Sequence, residues 1–328
     1  MPKVFPFKAV RASADKAPLV VSKPYDDYLP AELGAVLNYN PFSFLHIINP
    51  GYKFQYELDK KTRFKLVKNR YSEFKEEGVF VKETHPAFYL YRKTEDKHQF
   101  YGIIALCATA DYENNTIKRH EDTLSVREKL FKDYLNAVGF NSEPVLLTHA
   151  INNSLDELYQ SVFKSPAVYD FSTTDKHRHE LWTITDLKHI EEIQAQFEQI
   201  PAFYIADGHH RSASSFLLAK QHQDQAAYQR FMCYLIPENQ LQIYPFYRLV
   251  KGLNGLSKED FLIALDELFR IQERGLQTYF PSKKHHFSMY LDGSFYSLYL
   301  RKDKIKANTG LDDLDAQILY EKVLRPIL

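Results

Sequence analysis

The segment from Ala202 to Gln221 constrains the fold more than any other part of the chain, because it combines a strand, a tight turn and a helix. Residues 202–206 are an apolar run rich in strand-forming side chains. Apolar residues then recur at helical spacing between 212 and 221. The turn between them, Asp207-Gly208-His209-His210-Arg211, places a carboxylate, two imidazoles and a guanidinium at the predicted start of the helix.

The chemistry of this turn is suited to binding an anion. Unpaired backbone N–H groups and the helix dipole favour negative charge at a helix N-terminus. Gly208 can adopt a positive φ, and Arg211 can hold a phosphate through two parallel hydrogen bonds. Asp207 can bind Mg²⁺ or accept a proton from a hydroxyl group. An ordinary strand–helix turn with solvated polar residues could have the same sequence, and this alternative stays open.

Charge and composition narrow the classes of partner. The chain has 328 residues with 42 basic and 42 acidic side chains, so we expect no general attraction to nucleic acid or to an anionic membrane. No apolar run is long enough to span a bilayer, and the N-terminus lacks the apolar core of a signal peptide. Cys107 and Cys233 lie in separate apolar segments, which favours buried free thiols over a disulfide. These features predict a cytoplasmic protein.

Helices and strands alternate irregularly along the sequence, and several strand pairs have the short polar turns of hairpins. This pattern predicts an α+β fold with mixed sheets and flanking helices. We expect an N-terminal α+β region over residues 1–150 and a C-terminal α+β region over 151–328, or one core shared by both. The pattern also predicts strands at Phe42–Ile48 and Leu241–Tyr247.

A second polar cluster, His120-Glu121-x-Thr123, follows a predicted strand and precedes a predicted helix, as the Asp207 turn does. Pockets in mixed sheets form at such positions, so we expect the two clusters to line one pocket. In the alternative, Thr123 or Ser125 only caps the helix that follows.

Other candidate sites are weaker. His177 and His179 have the spacing of a metal pair on a strand, but the absence of a His-Glu-x-x-His helix and of a cysteine pair favours a polar loop edge. Asp26 is typical of a turn, and Arg248 is either a surface charge or an anion contact. The chain contains neither a Gly-x-x-x-x-Gly-Lys-Ser/Thr loop nor a Gly-x-Gly-x-x-Gly loop after a strand, which excludes the common phosphate cradles.

Several of these motifs together resemble a widespread bacterial and archaeal family, a domain of unknown function whose hallmark is Tyr-Ile-Ala-Asp-Gly-His-His-Arg. That hallmark stands here at Tyr204–Arg211. The other matching motifs are Pro24-Tyr25-Asp26, His120-Glu121-x-Thr123, Leu181-Trp182-x-Ile184-x-Asp186 and Arg248-Leu249-Val250. Ser212 stands where the family often has Tyr. Family members also tend to continue past the position of Leu328 with a further sheet-forming segment, so a site completed by that segment would be incomplete here.

The turn alone is also similar to the phosphate-binding turn of the ParB/sulfiredoxin superfamily, over one turn and one helix. That superfamily includes sulfiredoxin, nucleotide-binding ParB proteins and an archaeal free-serine kinase that uses ADP. The resemblance implies ATP or ADP with Mg²⁺ as cofactors and a nucleotide-dependent phosphotransferase that acts on a small hydroxyl compound such as an amino acid.

Under this hypothesis the phosphate ligands are Gly208, His209, His210 and Arg211, and Asp207 binds the metal. The candidate catalytic residues are Asp207, His209, His120 and Glu121, and the candidate substrate contacts are Asp26, Thr123 and Arg248. The alternative is a non-enzymatic nucleotide-binding or DNA-associated regulator of the ParB type. The neutral chain lacks a basic stripe, which argues against nucleic acid as a partner. A module that binds a small anion without turnover is a third hypothesis.

Overall fold

The computed structural model describes residues 1–54, 58–120, 123–305 and 311–328. In it, buried apolar side chains form separate clusters on either side of residue 243. The chain divides accordingly into two compact units, Met1–Ile243 and Tyr244–Leu328. Residue 150, which the sequence analysis took as the boundary between two regions, lies inside the first unit.

The first unit contains strands and helices in irregular alternation. Its strands are β1 (Val4–Phe5), β2 (Val10–Ala12), β3 (Phe80–Lys82), β4 (Phe88–Glu95), β5 (His98–Ala108), β6 (Ile117–Lys118), β7 (Val145–His149), β8 (Tyr169–Ser172), β9 (Arg178–Ile184), β10 (Phe203–Asp207) and β11 (Arg230–Pro237). Its α-helices are α1 (Ala17–Val20), α2 (Pro30–Tyr39), α3 (Leu45–Ile48), α4 (Lys60–Glu76), α5 (Thr109–Glu113), α6 (Ser125–Val138), α7 (Asn153–Val162), α8 (Leu187–Glu198) and α9 (His209–Gln221).

The main sheet of the first unit has the strand order β6-β10-β7-β11-β5-β4-β9-β8, and β1 pairs with β5 beside this path. Two neighbouring pairs are parallel, β6 with β10 and β7 with β11, whereas β10 and β7 are antiparallel. The two parallel pairs therefore run in opposite directions, and their carboxyl ends lie at opposite edges of the sheet. The fold is α+β with a mixed sheet and flanking helices, as the sequence predicts.

The second unit is a small α+β structure with its own core. Strands β12 (Phe269–Gly275), β13 (His286–Leu291) and β14 (Ser294–Leu300) form an antiparallel sheet in the order β12-β14-β13. Helix α10 (Lys258–Asp266) begins at Ser257, whose hydroxyl accepts a hydrogen bond from the Asp260 N–H at 3.1 Å. Helix α11 (Asp315–Leu319) continues into a π-helical turn at Tyr320–Leu324.

Two strand predictions are wrong. Phe42–Ile48 contains the short helix α3, in which Leu45 and Ile47 are fully buried. A short apolar run does not by itself distinguish a strand from a buried helical turn, so the packing decided between them. Leu241–Tyr247 has no regular secondary structure, and Ile243 is 91% exposed. Pro245 lacks the N–H that a strand would donate to a neighbour.

The Leu181–Asp186 motif contributes packing and a helix cap to this fold. The Trp182 indole N–H donates to the Ser165 carbonyl oxygen at 2.9 Å. The Asp186 carboxylate accepts from the His189 N–H at 3.0 Å and caps helix α8. These contacts give this family motif a structural role.

Among the described residues, no helix is both long and apolar enough to cross a membrane.

Candidate functional site

The parallel strands β6 and β10 carry both polar motifs to one edge of the main sheet. Phe203 pairs with Ile117 and Tyr204 with Lys118. The residues after each strand leave the sheet at the same edge, because parallel strands have their carboxyl ends on the same side. In open sheets with parallel strands, ligands bind in the crevice beyond these ends. We call this region the β6/β10 edge.

His120 and His209 lie in contact at the β6/β10 edge. Their ring centroids are 4.5 Å apart and their planes meet at 86°, an edge-to-face arrangement. His209 is buried, whereas His120 is exposed. The contact joins two motifs that are distant in sequence, and it places an accessible imidazole next to the start of helix α9.

Gly208 is required at this turn for two separate reasons. Its φ of +99° lies in the left-handed region, which side chains other than glycine seldom adopt. A Cβ atom at this position would also lie 3.2 Å from Nε of Arg211 and 3.3 Å from Cα of Val145. Both the backbone conformation and the close packing therefore select glycine.

Helix α9 begins without a capping side chain, because its N-cap residue is Gly208. The first intrahelical bond runs from the Ser212 N–H to the Gly208 carbonyl oxygen at 2.9 Å. The N–H groups of the preceding helical residues have no acceptor within an α-helix. The sequence-based hypothesis assigns the first N–H groups of this helix to a phosphate.

Arg211 is held by oxygen atoms of the protein. Its guanidinium donates to the Asp207 carboxylate and to the Pro144 carbonyl oxygen, and Nη1 lies 3.3 Å from Oε2 of Glu143. The sequence analysis assigned this side chain to a phosphate. In the structure it joins the turn to the residues that precede β7, and a bound phosphate would have to share it with these groups. Glu143 and Pro144 carried no local sequence signal of this role.

The Asp207 side chain remains 66% exposed despite its contact with Arg211. The described residues contain no cluster of three or more His, Cys, Asp or Glu side chains that could enclose a metal. Mg²⁺ is commonly bound by one or two carboxylates together with substrate phosphates. A single accessible carboxylate beside a set of backbone N–H donors fits such a shared ion.

Two further polar groups belong to the same edge. His210 is half-buried, and its Nδ1 atom has no hydrogen-bond partner in the described part of the chain. Arg119 follows β6 directly and is exposed, with its guanidinium 4.8 Å from the centre of the Tyr112 ring. The sequence analysis did not select Arg119, because β6 has only two residues and its carboxyl end is not visible in the pattern.

The remaining predicted site residues are distributed differently. Glu121 lies outside the described residues. The Thr123 hydroxyl donates to Glu128, while Leu124 occupies the N-cap of α6 without a side-chain cap, so neither Thr123 nor Ser125 caps this helix. The side chain of Asp26 is likewise not described, and its backbone lies in the 3-10 turn Tyr25–Asp27. Arg248 belongs to the second unit, where its guanidinium lies 4.1 Å from the centre of the Phe246 ring.

Cavities occur elsewhere in the first unit. One of about 680 Å³ is lined by residues of α2, α3 and α4, including His46 and Arg70. Another of about 100 Å³ lies at the carboxyl ends of β7 and β11. The turn lines neither of them, so a shared pocket of the turn with His120 and Glu121 stays a prediction.

Comparison with known proteins gives a family match. The model of a family described as "Protein of unknown function (DUF1015)" matches residues 4–317. Neither the curated proteins nor the solved structures contain a significant match to the chain.

Proposed function

The chain belongs to the DUF1015 family, and from the geometry of its Asp207–Arg211 turn we propose that it is a nucleotide-dependent phosphotransferase. Its substrate would be a small hydroxyl compound such as an amino acid, and its phosphate donor ATP or ADP with Mg²⁺. The observation that carries the proposal is the contact of His120 with His209 at the uncapped start of α9. It unites backbone donors, a carboxylate and an exposed imidazole.

The proposed roles follow from the position of each group. The N–H groups of His209 and His210 would hold phosphate oxygens, and Asp207 would hold the metal. Mg²⁺ would supply neutralisation of charge on the phosphates. Arg211 would orient Asp207 and add positive charge near the phosphates. The likeness to the ParB/sulfiredoxin turn is part of this proposal and rests on the order of strand, glycine and uncapped helix.

Transfer itself requires a hydroxyl oxygen to bond to phosphorus while the bond from phosphorus to the nucleotide breaks. The hydroxyl proton must leave during this exchange. His120 and Glu121 are the proposed acceptors, and His120 is exposed at the β6/β10 edge. Because the remaining work is positioning and charge neutralisation, this small set of groups suffices. A cytoplasmic location is also part of the proposal, since Cys107 and Cys233 are buried free thiols.

The test pairs two carboxylate variants. Both Asp207 and Glu143 contact Arg211, but only Asp207 is at the start of α9. Calorimetric titration with ATP or ADP in the presence of MgCl₂ should show binding to the wild type. Asp207→Asn should lose at least tenfold in magnesium-dependent affinity, since it keeps the size of the side chain and removes its charge. Glu143→Gln, which disturbs the same arginine, should stay within about threefold of the wild type.

Turnover is tested with the same variants and a panel of small hydroxyl compounds that includes L-serine, using ³¹P NMR to detect the phosphate ester. Asp207→Asn should form no product. Absence of binding for every adenine or cytidine nucleotide with Mg²⁺ would contradict the proposal. Equal losses in Asp207→Asn and Glu143→Gln would show that the turn serves only to hold Arg211. Nucleotide binding without product would favour the regulator, for which salt-dependent DNA binding is the separate test.

A further inference from the structure

The opposite edge of the main sheet contains a second polar site. Strands β7 and β11 are parallel, with Leu235 opposite Leu147 and Pro237 opposite His149. Because β10 runs antiparallel to β7, Asp207 lies near the start of β7, whereas His149 is at its end. The carboxyl ends of β7 and β11 thus form a crevice separate from the β6/β10 edge. The cavity of about 100 Å³ lies there and is lined by residues that include His149, Tyr159 and Asp156.

His149 lines this cavity, and its ring has a hydrogen-bond acceptor that is paired with no described residue. The residue is 1% exposed, and its Nδ1 lies 2.9 Å from the Ala150 carbonyl oxygen. A carbonyl only accepts, so Nδ1 carries the proton and Nε2 carries a lone pair. Burial lowers the pKa of the imidazole, which keeps it neutral. Its Nε2 atom has no hydrogen-bond partner among the described residues.

Tyr159 adds a buried hydroxyl to the same cavity. The side chain is 1% exposed, and its hydroxyl also has no hydrogen-bond partner in the described part of the chain. Burial raises the pKa of Tyr159, so the group remains a protonated phenol that donates and accepts. Buried polar groups are nearly always paired. The two side chains that carry these unpaired atoms both line one cavity, which makes it the candidate place for a ligand that completes their hydrogen bonds.

Charge at the cavity selects against anions. The lining residues include no Lys or Arg, and they include the Asp156 carboxylate, which accepts from the Tyr101 hydroxyl at 2.7 Å. The start of helix α7 is capped, because the Asn152 side chain accepts from the Leu155 N–H at 3.0 Å. The N-terminus of α7 therefore has a capping side chain, whereas the N-terminus of α9 has none. A ligand that suits these groups brings hydrogen-bond donors and no negative charge.

Size limits the ligand further. A cavity of 150 Å³ holds a benzene molecule, so the volume here suits about four non-hydrogen atoms. Asn153 and Asn239 line the cavity and are exposed, which gives it an opening to solvent. We propose that this cavity is a binding site for a small polyol or amino alcohol, held by donation to His149 Nε2 and by the Tyr159 hydroxyl. The site does not depend on the proposed phosphotransferase activity.

The experiment uses the full chain labelled with ¹⁵N-histidine, and ethanolamine, ethylene glycol and glycerol as probes. NMR titration should shift the Nε2 resonance of His149, assigned by its loss in His149→Gln, in a saturable manner for at least one probe. Acetate, an anion of similar size without a donor, should cause no saturable shift. Tyr159→Phe should weaken binding of that probe about two- to tenfold, the loss expected for one neutral hydrogen bond.

Thr183→Val is the matched control, because the Thr183 hydroxyl is also buried and without a partner among the described residues but does not line the cavity. It should leave the affinity unchanged. If no probe shifts the His149 resonance, the cavity holds only water and the proposal is wrong. Equal affinity in wild type and Tyr159→Phe, equal weakening in Thr183→Val, or saturation by acetate would also overturn it. Near-UV circular dichroism checks that each variant is folded.

Discussion

At the Asp207 turn, the side chain of Arg211 joins parts of the chain that are distant in sequence. Arg211 contacts the strand end through Asp207 and the residues before β7 through Glu143 and Pro144. The Asp207 carboxylate is 66% exposed, and ion pairs of this exposure stabilise a fold by about 0–1 kcal/mol. The arrangement therefore orients the turn more than it stabilises the protein.

His149 should make stability depend on pH. Burial lowers the pKa of His149 in the folded protein, while in the unfolded chain this pKa keeps its ordinary value of about 6.5. The unfolded chain therefore binds the proton first, and the free energy of unfolding should fall as the pH drops below about 6.5. Urea unfolding between pH 7.5 and 5 should show this slope. His149→Gln should reduce the slope by up to about 1.4 kcal/mol per pH unit.

His85→Gln provides the control for that measurement, because His85 is exposed. Its unfolding curve should follow the wild type at each pH. Burial also lowers the pKa of His179, so part of the slope should persist in His149→Gln. An unchanged slope in His149→Gln would mean that His149 does not titrate as a buried neutral imidazole.

Strand β10, Gly208 and helix α9 follow one another directly and form one strand–turn–helix unit at the candidate site. Strand β10 buries Phe203 and Ile205 while Tyr204 is 50% exposed, so the alternating pattern fixes which face of the strand is in the core. Gly208 then reverses the chain and starts α9 without a capping side chain. The unit was predictable because each of its signals lies within a few residues of the next.

Replacement of Gly208 should test the unit as a whole. Gly208→Ala forces a side chain into a positive φ and against Arg211, whereas Gly139→Ala meets only the backbone cost at φ +78° with no atom within 4 Å. We expect Gly139→Ala to lower the free energy of unfolding by about 1–2 kcal/mol. Gly208→Ala should cost more and should also weaken nucleotide binding. If urea unfolding shows the same loss of stability for Gly208→Ala and Gly139→Ala, the Arg211 side chain moves away from the added methyl group without cost.

The chain forms two units, and the first is organised around a mixed sheet. Strands from both sides of residue 150 complete this sheet. Strand β7 lies between β10 and β11, both of which follow it in sequence by more than fifty residues. The two parallel pairs of this sheet have their carboxyl ends at opposite edges. The second unit, residues 244–328, has a separate core built around the sheet β12-β14-β13.

Fragments of the chain should reflect this organisation. A fragment of residues 1–243 contains the complete main sheet, so we expect a cooperative urea transition and a native near-UV circular dichroism spectrum. A fragment of residues 1–150 lacks both neighbours of β7 and should show neither. Cooperative unfolding of the shorter fragment, or a fragment 1–243 without fixed tertiary packing, would contradict the division at residue 243.

Sequence by itself determined the elements whose signals are local. Asp292-Gly293 gave the hairpin of β13 and β14, Gly139 ended α6, and Ser257 began α10, because turn and cap preferences act within a few residues. The order of strand, turn and helix around Gly208 was predictable for the same reason, and the family hallmark marked it as a candidate site.

Only the tertiary structure decided which of these elements became neighbours. The contact of His120 with His209, the binding of Arg211 by Glu143 and Pro144, and the cavity beside His149 and Tyr159 all depend on the order and direction of strands in the sheet. The hydrophobic period and the secondary-structure propensity are properties of one segment of sequence. The order of strands depends instead on how all segments bury their apolar faces together. The same reason explains why the apolar run at Leu45–Ile48 became a buried helix instead of a strand.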